Sequence, residues 1–239
     1  MRIAFISDIH GNAVALDAVL EDLKNKNVNK IFVLGDLCFR GTEPKRALEL
    51  VKSLNSEVIK GNADEWIVRG IKEGEVPSEA IKIMGKEREW TLSQLDNQGI
   101  EYLKNLPLEV ELEYNGVKVH AFHATPTSLF DIVQPFEEDE VVKEKVMVHK
   151  DADIYIYAHI HKPYIRYING KCIINTGSVG LPFDGLTQSS YALIDIEEGH
   201  VQASIVRTSY DITRVITQFK ETNYPNKELM IKVLENGKM

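Results

Sequence analysis

Five apolar runs in this 239-residue chain end in side chains able to hold a divalent cation. Residues 2–6 lead into Ser7-Asp8-Ile9-His10, the run at 30–35 into Gly35-Asp36, and the run at 56–61 into Gly61-Asn62. Later, residues 117–122 deliver His123, and residues 153–158 deliver His159-Ile160-His161. Taken singly, each has a local explanation. Gly-Asp after a strand is ordinary turn chemistry, and Gly-Asn can open a helix. Independent turns, however, do not end five strands in Asp, His, Asp, Asn, His, His and His. Seven oxygen and nitrogen donors suit two divalent ions about 3.5–4 Å apart, with one carboxylate shared between them. With no thiolate in the set, Mn, Fe, Ni, Mg and Zn are all admissible. A hydroxide held by two such ions is nucleophilic near neutral pH, and the same ions can clamp the oxygens of a phosphoryl group.

The elements that position these residues can be read from periodicity. Strands at 2–6, 30–35 and 56–61 alternate with helices at 12–25 and 44–54, and Pro44 suits the first turn of the second helix. That alternation predicts parallel strands with right-handed crossovers. Residues 63–106 contain no strand-like run and read as a helical insertion of two or three helices able to cover a site. From Leu108 onward the pattern turns to β structure, with hairpins predicted at Asn115-Gly116, Asn169-Gly170 and Glu197 to His200. A helix is expected over 138–149, a buried strand over 153–158, and two short helices after 211, separated near Pro225. Periodicity alone therefore predicts a parallel half followed by an antiparallel half, each making its own sheet within a single domain over residues 1–239. Ligands of α/β sheets gather at the carboxyl ends of the strands, where the seven donors fall.

Bulk composition narrows the partners. The chain is 44% hydrophobic and 27% charged, with a formal net charge of −8. That balance argues against broad binding to nucleic acid, which needs a basic face, but permits a small phosphorylated substrate, because bound cations reverse the local field. No run approaches the roughly 18 apolar residues of a membrane span, and the opening residues do not read as a secretory signal. Cys38 and Cys172 lack redox or metal spacing, so a reduced, cytoplasmic setting is expected.

Asp8-Ile9-His10, Gly35-Asp36, Gly61-Asn62-Ala63-Asp64, His123 and Ala158-His159-Ile160-His161 together resemble the calcineurin-like metallophosphoesterases, in order and spacing, over most of the chain. The small prokaryotic branch is most similar, notably over residues 174–196. The resemblance implies an α/β (α+β) fold, a four-layer α-β-β-α sandwich of two mixed sheets with outer helices, and a dinuclear metal centre in which Mn is the expected ion. Position by position it implies that Asp8, His10 and His161 hold the first metal. Asn62, His123 and His159 would hold the second, and Asp36 would bridge. His120 is the rival to His123, which lies nearer the strand end in a His-Ala-Thr-Pro segment that stands where the family has His-Gly-Ser-Pro.

Two departures bear on chemistry. Ala63 replaces a histidine that in many relatives protonates the leaving group, a kind of assistance typically worth about 10²–10⁴-fold. Good leaving groups, such as aryl phosphates and phosphoanhydrides, need it less. Gly35 to Gly41 has the spacing of the Gly-Asp-X-X-Asp-Arg-Gly motif, but Phe39 replaces its second aspartate, against a serine/threonine protein phosphatase. Arg40 is a candidate phosphate clamp, or else a solvated loop arginine. Trp66 and Trp90 read as the core of the insertion or as stacking surfaces, Cys38 as a buried spacer, and His149 and His200 as surface residues. Asn175, Gly177 and Ser178 are expected in a tight loop that orients a ligating histidine.

The expected function is hydrolysis of phosphodiesters or phosphomonoesters of small molecules by a metal-bridging hydroxide, with Asp36, Asn62, His123 and Arg40 as the catalytic group. A dinucleoside polyphosphate pyrophosphohydrolase is the alternative. A scaffold without chemistry is disfavoured, because all seven ligand positions hold competent residues.

Overall fold

The computed structural model describes residues 1–239 as ten strands and eight helices. In the first third, β1 (Arg2–Ile6), α1 (Ala13–Asn25), β2 (Lys30–Val33), α2 (Pro44–Ser53) and the two-residue β3 (Glu57–Val58) form the expected alternation. Asn12 opens α1, its side-chain oxygen accepting the Ala15 N–H at 3.0 Å, and Pro44 occupies the first position of α2. The insertion resolves into three helices: α3 (Asn62–Arg69), α4 (Ser78–Gln94) and α5 (Asn97–Lys104). Next come β4 (Glu109–Tyr114), β5 (Val117–Phe122), α6 (Asp139–Val146), β6 (Ile154–Tyr157), β7 (Tyr164–Ile168) and β8 (Lys171–Asn175). The chain continues through β9 (Ser189–Glu197), β10 (His200–Thr208), α7 (Ile212–Glu221) and α8 (Lys227–Asn236). All three predicted hairpins form. Asn115 and Gly116 both adopt positive φ, as do Asn169 and Gly170 and Glu198 and Gly199, the geometry that matches a two-residue turn to strand twist.

Two five-stranded sheets result, in the orders β10-β9-β1-β2-β3 and β4-β5-β6-β8-β7. Both are mixed. The expectation that each half of the chain makes one sheet fails at β9. This strand returns to the first sheet and runs antiparallel to β1, with Phe5 opposite Ala192. In the second sheet β5, β6 and β8 are parallel. Periodicity records the conformation of each strand, but these pairings are made between segments far apart in sequence.

Alternation along each strand divides the core into layers. Ile3 and Phe5 of β1, with Phe32, face Val119, Ala121, Ile154 and Ile156 across the space between the sheets. Ala4 and Ile6 face the other way, onto Leu16 and Val19 of α1, and Trp66 and Ile67 of α3 belong to the same outer layer. On the far side, Val142 and Val146 of α6 cover Phe122, Tyr155 and Ile173. The order is α-β-β-α. Helices α7 and α8 pack on Val14 and Leu181 at one end of the sandwich. No helix is long and apolar enough to cross a membrane.

Ile156 is fully buried between the sheets. Ile156→Ala is expected to lower stability by about 3 kcal/mol, measured by urea denaturation.

Candidate metal centre

The loops after β1, β2, β3, β5 and β6 converge at one edge of the sandwich. The convergence is fixed by backbone hydrogen bonds: Asp8 N–H to Gly35 O, His10 N–H to Asp36 O, and Gly11 N–H to Leu37 O, at 2.9–3.1 Å. Packing there is close. A Cβ on Gly41 would stand 1.9 Å from the His10 carbonyl oxygen, and one on Gly61 would stand 2.0 Å from Asp36 Oδ1. Asp8, His10, Asp36, Arg40, His159 and His161 all have φ between +50° and +73°, a region that costs non-glycine residues about 1 kcal/mol or more each. The local backbone is thus held to aim side chains that its own preferences would point elsewhere.

All seven predicted donors meet there. His161 Nε2 lies 3.1 Å from Asp8 Oδ1 and 3.2 Å from His10 Nε2, and with Asp36 these residues present donor atoms within 4.8 Å of one another. Asn62 Oδ1 is 2.8 Å from His123 Nε2 and 2.9 Å from His159 Nδ1. Asp36 spans the two groups. Its Oδ2 is 3.6 Å from His10 Nε2, and its Oδ1 is 3.6 Å from His123 Nε2.

Tautomers show what the site can hold. His10 Nδ1 is 2.8 Å from the Phe39 carbonyl, His123 Nδ1 is 2.7 Å from the Leu34 carbonyl, and His161 Nδ1 faces the Leu181 carbonyl. A carbonyl can only accept, so each Nδ1 carries hydrogen and each neutral ring turns a bare Nε2 lone pair inward. Asp8 Oδ1 is buried without a hydrogen-bond partner. Lone pairs from His10, His161 and Asp8 therefore converge on one point, which calls for a positive charge. The residues fit a cation.

Electrostatics agree. Burial pushes Asp36 up to about 6, with Asp8 adding to the shift, and burial with Asp36 nearby pushes Asp64 up to about 7. At Asp8 burial acts upward too, but without a cation a protonated His161 and a hydrogen bond from His10 outweigh it and hold the carboxyl well below its ordinary range, a role that a bound cation would take over. His159 is pushed down to about 3 by burial and by His123, so its ring is neutral at physiological pH and keeps a free lone pair.

The loop after β8 performs the orienting role expected of it. Ser178 Oγ donates to the Asp8 carbonyl at 2.8 Å and accepts the Leu181 N–H at 2.8 Å, while the Leu181 carbonyl holds His161. His120 is placed elsewhere: its Nε2 is 2.8 Å from Glu109 Oε2, across the β4–β5 hairpin. Cys38 is a buried spacer whose thiol points at the Pro44 carbonyl. Of the two tryptophans, Trp66 lines the cavity above the site, whereas Trp90 packs edge-on against Tyr224. The insertion borders the cavity rather than roofing it, since only Asn62 and Trp66 of α3 line it and α4 and α5 contribute none. That cavity, about 790 Å³, also presents Arg40, Lys162, Phe39 and Phe183.

Asp64 has a role that strand-end reasoning missed. Fully buried, it accepts the N–H groups of Asp36 and Gly61 on one oxygen and of Leu37 on the other, at 2.8–2.9 Å. Its place at the third position of α3, reaching back to the residue before the helix, is the signal that could have found it.

A family profile, the calcineurin-like phosphoesterase superfamily domain, matches residues 1–199. The chain belongs to that superfamily: it is a hydrolase acting on phosphoester bonds, in a family that depends on metal. It is 31% identical over 244 aligned residues to the uncharacterized protein MJ0912 of Methanocaldococcus jannaschii, covering 93% of each chain. Among solved structures it is similar to a metallophosphoesterase from Sphaerobacter thermophilus, at 27% identity and TM-score 0.78 over 99% of both chains. The hypothetical protein PH1004 from Pyrococcus horikoshii OT3 shares the fold at 22% identity and TM-score 0.85, covering 100% of this chain and 99% of that one.

Two predictions test the assembly. Asp64→Ala strands three buried N–H groups and should cost about 3 kcal/mol or more, seen as a lowered urea midpoint. His120→Gln should leave bound metal unchanged by elemental analysis, whereas His123→Gln should lower it.

Proposed function

We propose that this chain is a dinuclear metal-dependent phosphoesterase acting on phosphodiesters or phosphomonoesters of small molecules. The observation that carries the reading is Asp36, whose two oxygens face histidines of two different donor groups, each at 3.6 Å. Asp8, His10 and His161 would hold one ion, Asn62, His123 and His159 the other, and Asp36 would be shared. Divalent ions bound there, manganese being the one expected, would activate water and neutralise charge on the phosphoryl oxygens.

The remaining work belongs to the chain's own side chains. Arg40 lines the cavity with His10 and Asp36, and its guanidinium can bind a phosphoryl oxygen. Trp66, backed by the buried Phe39 ring at 6.1 Å between centroids, offers an apolar wall to the leaving group. Ala63 supplies no proton; its N–H donates to Asp36 Oδ1 at 2.8 Å. Substrates whose leaving groups depart without protonation suit such a site. A cavity of about 790 Å³ suits a small molecule, and the net charge of −8 disfavours a nucleic-acid polymer. Both cysteines are buried and unpaired, in keeping with a cytoplasmic setting.

One observation favours a second reading. Trp66 shares the cavity with the cations Arg40, Lys162 and Lys238, as a nucleobase joined to a polyphosphate would require. Competing diadenosine tetraphosphate against bis(p-nitrophenyl) phosphate separates the two readings; cleavage of the diester alone removes the second.

Asp36→Asn and His161→Ala should each lose bound manganese by elemental analysis and at least about 100-fold in turnover. A chelator should abolish wild-type turnover, and added Mn²⁺ should restore it. Full activity of the metal-stripped protein would overturn the reading.

A further inference from the structure

Glu87, in the middle of α4, has no part in the chemistry above, yet it is fully buried. A buried carboxylate is strongly disfavoured unless it is paired and hydrogen-bonded. Its Oε2 lies 3.4 Å from Arg40 Nε, its one ion-pair contact, and its Oε1 accepts from Asn226 Nδ2 at 3.0 Å. Three segments distant in sequence therefore meet on one carboxylate: the loop after β2, the insertion, and the turn between α7 and α8.

The arrangement constrains Arg40 in a particular way. Only Nε is used; its two Nη groups make no hydrogen bond within the protein, and the side chain lines the cavity with His10 and Asp36. The backbone end is held as firmly. Arg40 has φ +73°, and Gly41 after it lies against the His10 and Gly11 backbone so closely that no Cβ would fit. The guanidinium also lies 5.8 Å from the Phe39 ring. Arg40 is thus pinned at the backbone and at Nε, while its two Nη groups are left without a protein partner on a residue that lines the cavity. A guanidinium fork is the group that matches two oxygens of a phosphoryl group.

We propose that Glu87 is a positioning residue for phosphate recognition: it holds the Arg40 guanidinium so that the free Nη edge meets a phosphoryl oxygen of the substrate. Asn226 fixes the carboxylate in turn. The proposal rests on the phosphoesterase reading above and adds to it a reason for the insertion. Through Glu87, α4 sets the direction of the clamp without touching substrate.

Glu87→Gln tests this. The amide preserves volume and can still accept a hydrogen bond, but it removes the negative charge that holds the guanidinium. In manganese-loaded protein, inorganic phosphate should bind about tenfold more weakly by calorimetry, the size of one charge-assisted hydrogen bond. With bis(p-nitrophenyl) phosphate, KM should rise by a similar factor while kcat changes by less than about threefold. Arg40→Ala should weaken phosphate at least as much, and Glu87→Gln added to Arg40→Ala should weaken it no further. If Glu87 only ties helices together, Glu87→Gln will lower the urea midpoint and leave phosphate affinity unchanged, which overturns the proposal. Additive losses in the double variant overturn it as well. Should Glu87→Gln fail to fold, Asn226→Ala replaces it, with a phosphate loss in the same direction expected and unchanged affinity counting against. Wild-type protein that binds no phosphate and cleaves no phosphoester would remove the parent reading. Active wild type with an indifferent Glu87→Gln removes this inference alone.

Discussion

Asp8 and Asp36 place two carboxylates in a nearly dry pocket beneath four imidazoles, and much of the architecture around them serves to keep them there. Neither residue is more than 2% exposed. Charges so placed are disfavoured unless compensated, and compensation arrives from every direction. Ser7 Oγ and the His159 N–H occupy one oxygen of Asp8, the Ala63 N–H occupies one of Asp36, and the imidazoles supply a field that can accept or replace a cation. The loops need short, left-handed turns and glycines at closest approach because the carboxylates must come together without water between them. A site prepared in this way would reorganise little during a reaction.

Positions that matter to this centre form shells of decreasing legibility in the sequence. The seven donors could be read because each terminates a contiguous apolar run, and a strand end is a local property. His123 could be preferred over His120 for the same reason, and the structure gives the physical basis: His123 follows the end of β5, whereas His120 lies within the strand and is turned to Glu109. Asp64 was harder, since its three N–H partners come from two loops. Glu87 was out of reach. Nothing in a charged helix marks one glutamate among several as the buried one, because burial there is decided by where Arg40 and Asn226 arrive from elsewhere in the chain.

The fold was legible to the same degree and for the same reason. Helices, hairpins and the helical character of the insertion follow from local periodicity and turn chemistry, down to Asn169-Gly170 in its predicted turn. Membership of β9 and β10 in the first sheet did not follow. The alternation of β9 fits either sheet, and its pairing with β1 is a contact between residues nearly two hundred positions apart.

The seven donors are also divided between the layers. Asp8, His10, Asp36 and Asn62 follow strands of the first sheet, and His123, His159 and His161 follow strands of the second. A cation bound by them would be a rivet through the sandwich, fastening two sheets that otherwise adhere through aliphatic and phenyl side chains. Occupancy of the centre is therefore coupled to cohesion of the layers by mass action. Folding and loading would then be linked equilibria, so the chain's resistance to heat would carry information about the ions available to it.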